Sequence, residues 1–133
     1  MSEEEDEMIK FVQNITQSSD ITSHELELLL DGRSKNKIQF TLIDIREIFE
    51  YSSLSIKGTD LLLPTSSIHT SMEQLNAFKG HFLIFYCRTG NRTFQMLNIL
   101  KRMGFTNIAH LTRGIVDFGG EKLKNAPLPK NIK

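Results

Sequence analysis

The chain has 133 residues, enough for one domain, and its 39% hydrophobic content builds a core and excludes a disordered chain. Lys plus Arg and Asp plus Glu are 16 each, so the net charge is zero and gives no sign of a nucleic-acid footprint. The single cysteine, Cys87, excludes an intrachain disulfide and any multi-cysteine zinc or iron–sulfur site, and no run of about 18 apolar residues exists to span a membrane.

Residues 1–19 form an acidic segment. Glu3, Glu4, Glu5, Asp6 and Glu7 leave 16 positive against 11 negative charges, a body of +5, in the rest of the chain. An acidic start is the reverse of a secretory leader, so the expected location is the reducing cytoplasm. The plainer reading of these acids is a solubilising, frayed end. The sharper one is a helix over about 4–16, because Met8, Ile9, Phe11, Val12 and Ile15 follow at near-helical spacing and acids complement a helix N-terminus.

Ile21 reads as a short extended entry. Thr22 and Glu25 have capping-box spacing, and a helix from His24 to about Leu30 is expected to stop at Gly32. Gln39 to Asp44 reads as a buried strand and Ile45 to Tyr51 as a helical turn. Leu61 to Leu63 is a short strand closed by Pro64, and Ser71 to Phe78 a helix stopped by Gly80. His81 to Cys87 is the strongest strand. Its almost unbroken apolar run suits a parallel strand covered on both faces. Arg92 to Met103 reads as a helix with Phe94, Met96, Leu97, Ile99, Leu100 and Met103 inward. A strand over Asn107–Leu111 and a helix over Ile115–Leu123 follow. Alternation of strands and helices predicts an α/β domain over residues 20–128 with a mainly parallel sheet, before a basic tail over 129–133.

The chemistry is expected where the best strand meets the best helix. Cys87 ends the strand, Arg88-Thr89-Gly90-Asn91 follows, and Arg92-Thr93 opens the helix. Ligands of open α/β sheets bind beyond the carboxyl ends of strands, and a helix start there presents free N–H groups and partial positive charge. A loop of this composition can aim successive amides at one anion. The same field favours a thiolate at Cys87, with Arg88 and Arg92 as permanent cations beside it. A buried structural thiol and a phosphate loop with an incidental cysteine are the competing readings. His24, His69, His81 and His110 show no metal-ligand spacing and read as surface or strand-edge residues.

Cys87-Arg88-Thr89-Gly90-Asn91-Arg92 resembles the active-site loop of single-domain rhodaneses, the thiosulfate-type sulfurtransferases. Leu42-Ile43-Asp44-Ile45-Arg46-Glu47 resembles that family's aspartate-x-arginine strand end, with Glu50-Tyr51 following at the usual distance. Ile56-Lys57-Gly58, Pro64, Gly104-Phe105-Thr106-Asn107-Ile108 and Leu111-Thr112-Arg113-Gly114-Ile115 extend the likeness over about residues 20–128. Four positions depart from the pattern: Ser55 for histidine, Thr59 for alanine, Arg113 for the first of two glycines, and Phe118 for tryptophan. Arg113 and Phe118 fall at the expected pocket rim.

The resemblance implies a three-layer α/β/α fold around a five-stranded, mainly parallel sheet. It implies ping-pong chemistry in which Cys87 accepts a sulfane sulfur, becomes a persulfide and passes the sulfur on. Thr89, Gly90, Asn91 and Thr93 belong to the loop, and Asp44 and Arg46 are expected to support it through a buried ion pair. Arg88 and Arg92 are placed to hold the donor, although Arg92 can equally tie down the loop. The implied partners are a small anionic sulfur donor such as thiosulfate or a persulfide, a thiol or cyanide-like acceptor, and a candidate protein acceptor. No nucleic acid, membrane, metal or cofactor is called for. Two alternatives stand beside this reading: a non-catalytic binding or redox-sensing module, and a cysteine phosphatase or arsenate reductase. The second uses a loop with five residues between cysteine and arginine, whereas four lie between Cys87 and Arg92.

Overall fold

The computed structural model describes residues 2–130, apart from the side chains of Ile68 and His69. Positions 131–133 of the expected basic tail, and the reading of His69, lie outside the described residues.

Helix α1 (Glu3–Ser18) begins at Ser2, whose side chain accepts from the Glu5 amide, and carries Glu3, Glu4, Glu5 and Asp6 in its first turn. These acids lie at the positive end of the helix dipole, where they stabilise it. The helix is also anchored: Ile15 is buried, and Met8, Phe11 and Val12 pack on the same core. Strand β1 (Asp20–Ile21) leads to α2 (Ser23–Ser34), which opens with the expected capping box between Thr22 and Glu25. Then follow β2 (Thr41–Asp44), α3 (Ile48–Ser53), β3 (Ser55–Ile56), β4 (Leu61–Leu62), α4 (Ile68–Asn76), β5 (Leu83–Tyr86), α5 (Asn91–Arg102), β6 (Ile108–Leu111), α6 (Gly114–Asp117) and β7 (Lys122–Leu123).

Five strands form one sheet in the order β1-β6-β5-β2-β4, and every pairing in it is parallel. Strand β5 is central and wholly buried. Its alternation supplies two cores: Ile84 and Tyr86 join Ile15, Leu26 and Leu29 on one face, while Leu83 and Phe85 join Leu75, Met96, Leu97 and Leu100 on the other. The period of two in a strand thus explains a continuous apolar run as two half-faces, each covered by helices. No helix among the described residues is long and apolar enough to cross a membrane.

Four local expectations are corrected. Gly32 does not stop α2, which runs on to Ser34. It is buried inside the helix, where a Cβ would stand 3.2 Å from both Ile38 Cγ2 and Met8 Cε, so its role is close approach. Helix α5 buries Thr93, Met96, Leu97 and Leu100, an i, i+3, i+4, i+7 stripe. Phe94, Ile99 and Met103 lie off that stripe and are exposed. The last helix ends at Asp117 because Phe118 turns extended at ψ 123°, and Lys122–Leu123 instead pairs antiparallel with Ser55–Ile56. Phe118 itself is buried in the core on the α2 side, not at a pocket rim.

If α1 is part of the core, Ile15→Ala should lower stability by about 2–5 kcal/mol in urea denaturation. A change below about 0.5 kcal/mol, the range of ordinary surface substitutions, would show that α1 is peripheral.

Candidate active site

The chain leaves β5 at Tyr86 and enters α5 at Asn91, with Gly90 as the N-cap at φ 97°. That conformation strains any residue with a side chain, and a Cβ on Gly90 would also collide with the Thr112 carbonyl. Gly114 is constrained in the same way. At φ 70° it lies against the Arg88 backbone, which a Cβ would overlap. This close approach lets the Ile115 and Val116 amides donate to the Cys87 and Arg88 carbonyls at 3.0 and 3.2 Å. Because the peptide bonds are trans, the amides of Arg88 and Thr89 turn away from α6.

The Cys87 sulfur lies on the floor of this loop. The residue is 1% exposed, and the Gly90 amide donates to Sγ at 3.2 Å. The Thr93 hydroxyl is 3.6 Å from Sγ, 3.1 Å from the Gly90 carbonyl and 2.7 Å from His110 Nδ1. The site therefore includes His110, which reads from the sequence as a surface or strand-edge residue. Strand β6 lies between β1 and β5, so His110 is 4% exposed and faces the start of α5. A polar residue inside the apolar run Ile108-Ala109-His110-Leu111 was the available signal. His24 and His81 are exposed, as expected.

The cations divide into two kinds. Arg92 forms a forked pair with Glu50, Nη1 to Oε1 at 3.1 Å and Nη2 to Oε2 at 3.0 Å. Its guanidinium holds the Glu50 carboxyl below the ordinary carboxylate range. Arg88 is exposed with no side-chain partner among the described residues, and Thr89 and Asn91 are exposed beside it. Beneath the neighbouring strand end, Arg46 pairs with Asp44, Nε to Oδ1 at 3.0 Å and Nη2 to Oδ2 at 2.9 Å, and both residues are buried. Arg46 Nη2 also donates to the Leu54 carbonyl at 2.6 Å, fixing the C-terminal end of α3, the helix whose first turn carries Glu50. Burial pushes the Asp44 carboxyl up against the opposing pull of Arg46. Among the departures noted in the sequence, Thr59 bonds the Tyr86 hydroxyl at 2.8 Å, Ser55 is buried, and Arg113 is exposed. A surface cleft lined by Glu4, Met8, Phe11, Leu28 and Lys37 shares no residue with this site.

Comparison with known proteins accounts for the arrangement. The Rhodanese-like domain family matches residues 24–121. The chain belongs to the rhodanese-like domain family. The match begins after α1. Over 98 residues the chain is 34% identical to a probable adenylyltransferase/sulfurtransferase MoeZ of Mycobacterium tuberculosis, covering 74% of this chain and 24% of that protein. The chain thus spans about a quarter of the curated relative's length. Among solved structures, thiosulfate sulfurtransferase from Pseudomonas aeruginosa superposes with a TM-score of 0.68 at 21% identity, over 83% of this chain and 21% of the other. A rhodanese-related protein from Thermoplasma volcanium superposes at 0.63 and 22% identity, over 78% and 96%. These structures establish the rhodanese-like fold.

The Glu50–Arg92 pair predicts a pH-dependent stability term. The Glu50 pKa is lower folded than unfolded, so its ionised form stabilises the fold above the unfolded value near about 4.3. That contribution is lost as pH falls through the folded value. Glu50→Gln should cost about 1 kcal/mol at neutral pH, and the gap to wild type should close below about pH 4 in denaturant titrations. A gap constant with pH would mean that the charge of Glu50 contributes nothing.

Proposed function

We propose that this rhodanese-like chain is a sulfurtransferase that carries a sulfane sulfur on Cys87. The observation that supports this most directly is the Gly90 amide bonded to the Cys87 sulfur at the start of α5. An amide aimed at sulfur, at the positive end of a twelve-residue helix, suits a sulfur that bears negative charge, as the terminal sulfur of a persulfide does.

With thiosulfate as donor, the Cys87 thiolate attacks the outer sulfur. A cysteine–sulfur bond forms as the bond between the two sulfurs of thiosulfate breaks, and sulfite leaves with the electron pair. A nucleophilic acceptor such as cyanide or a thiol then attacks the terminal sulfur of the persulfide and regenerates the thiolate. Attack on a sulfane sulfur moves no proton from the donor, so the transfer itself requires no general acid. Arg88, exposed and unpaired among the described residues, is the cation placed to receive the donor's oxyanion. Arg92 is held by Glu50 and shapes the loop. This pairing also weighs against phosphoryl chemistry, which uses the loop arginine to grip the phosphate. The chain has no second cysteine to resolve a persulfide, so the sulfur must go to an external acceptor. A persulfide donor or a protein acceptor would use the same thiolate and the same amides.

Transfer from thiosulfate to cyanide tests this reading. The wild-type chain should turn over, and Cys87→Ser should fall to the uncatalysed background. Arg88→Gln should raise KM for thiosulfate about five-fold with kcat near wild type, as expected for an exposed contact worth about 1 kcal/mol. Equal rates for wild type and Cys87→Ser, with thiosulfate and with a glutathione persulfide donor, would refute the proposal and favour a non-catalytic binding module.

A further inference from the structure

Four side chains, from β1, β6, α5 and the loop after β5, form a continuous chain. Asp20 on β1 lies 3.4 Å from His110 Nε2, His110 Nδ1 lies 2.7 Å from Thr93 Oγ1, and Thr93 Oγ1 lies 3.6 Å from Cys87 Sγ. We propose that His110 is the proton store for the Cys87 nucleophile, working through the Thr93 hydroxyl and oriented by Asp20. The inference deepens the sulfurtransferase reading by supplying the step before attack, the loss of the thiol proton.

The direction of the relay follows from donor and acceptor capacity. The Asp20 carboxylate only accepts, so in the neutral ring the proton belongs on Nε2 and Nδ1 is left as an acceptor. The Thr93 hydroxyl has one proton and two candidate acceptors, Nδ1 and the Gly90 carbonyl. Nδ1 at 2.7 Å is a closer acceptor than the Gly90 carbonyl at 3.1 Å, which also accepts from the Phe94 amide at 3.0 Å, so the hydroxyl proton goes to Nδ1. The hydroxyl lone pair then faces the thiol. In the transfer, the S–H bond of Cys87 breaks as a new O–H bond forms on Thr93, while the original O–H proton passes to Nδ1. The products are a Cys87 thiolate, an unchanged threonine and an imidazolium whose Nε2–H faces Asp20. The hydroxyl now donates to the thiolate, and the imidazolium donates to the hydroxyl. Both hydrogen bonds of the Thr93 hydroxyl reverse, the Nε2–H keeps its direction towards Asp20, and no group of the relay is left unpaired.

The surroundings suit a store that starts empty. Burial holds His110 towards its neutral form, opposed by the Asp20 carboxylate and reinforced by the positive charge of Lys101 on α5. The Phe94 ring, with centroids 6.2 Å apart, carries no charge. Thr93 touches the reacting sulfur, whereas His110 and Asp20 act through it as positioning residues.

Alkylation of Cys87 by iodoacetamide, followed from pH 5 to 9, reads the thiolate without any sulfur donor, so it separates this inference from the transfer reading. In wild type the profile should show a low-pH limb set by His110. His110→Gln should lose that limb and react about ten-fold more slowly at pH 7, equivalent to about one pH unit of thiolate formation. Thr93→Val should behave the same way, and the double variant should be no slower than either single one, because each breaks the same chain. Thr93→Ser should restore the wild-type profile. Asp20 is exposed, so Asp20→Asn keeps the test open if His110→Gln fails to fold, and it should weaken the limb. Folded His110→Gln or Asp20→Asn proteins with an unchanged profile would overturn the relay. So would additive losses in the double variant.

Discussion

The site depends on one contact, the Gly90 amide donating to the Cys87 sulfur across 3.2 Å. That contact forms only if the backbone turns sharply between β5 and α5, and Gly90 makes the turn at φ 97° with no Cβ to meet the Thr112 carbonyl. The turn holds because Gly114 brings α6 against the loop, so that two carbonyls of the loop are bonded from α6. The setting of the Cys87 sulfur therefore rests on backbone geometry supplied by two glycines that lie 24 positions apart in the sequence. Backbone amides are already aligned before any anion arrives, so their interaction with a charged sulfur costs little reorganisation.

Around this centre, ion pairs hold the structure in place, while Arg88 has no side-chain partner among the described residues. Asp44–Arg46 is fully buried and reaches the Leu54 carbonyl, which fixes α3. Helix α3 presents Glu50, and Glu50 fixes Arg92 at the start of α5. Removing one member of the buried pair would strand a charge, whereas Glu50–Arg92 is partly open to solvent and contributes modestly. Two arginines similar in sequence context thus have different environments: Arg92 is committed to Glu50, and Arg88 is exposed at the mouth of the loop. The charge of +5 outside residues 1–7 has the sign that favours approach of an anion.

Much of this was legible from the residues. The parallel sheet, the capping box at Thr22 and the loop from Cys87 to Thr93 follow from local patterns that the fold keeps. The failures share a cause: tertiary packing overrode a local signal. Gly32 reads as a helix stop but fills a close contact with Met8 and Ile38. Phe94 and Ile99 read as inward by apolarity, but the buried stripe runs through Thr93. Lys122–Leu123 continues a helical pattern until it meets β3, a partner 66 residues earlier at closest register. His110 was hidden because its significance lies in what β6 is placed beside, and strand order is not written in any local window.

The central claim is that Cys87 holds a transferable sulfur, and intact mass spectrometry tests it most directly. After incubation with thiosulfate, the protein should gain the mass of one sulfur atom. Cyanide or a reductant should remove the added mass, and Cys87→Ser should never acquire it. The account would be contradicted if the wild-type mass stays unchanged with thiosulfate and with a persulfide donor, or if Cys87→Ser takes up the same sulfur.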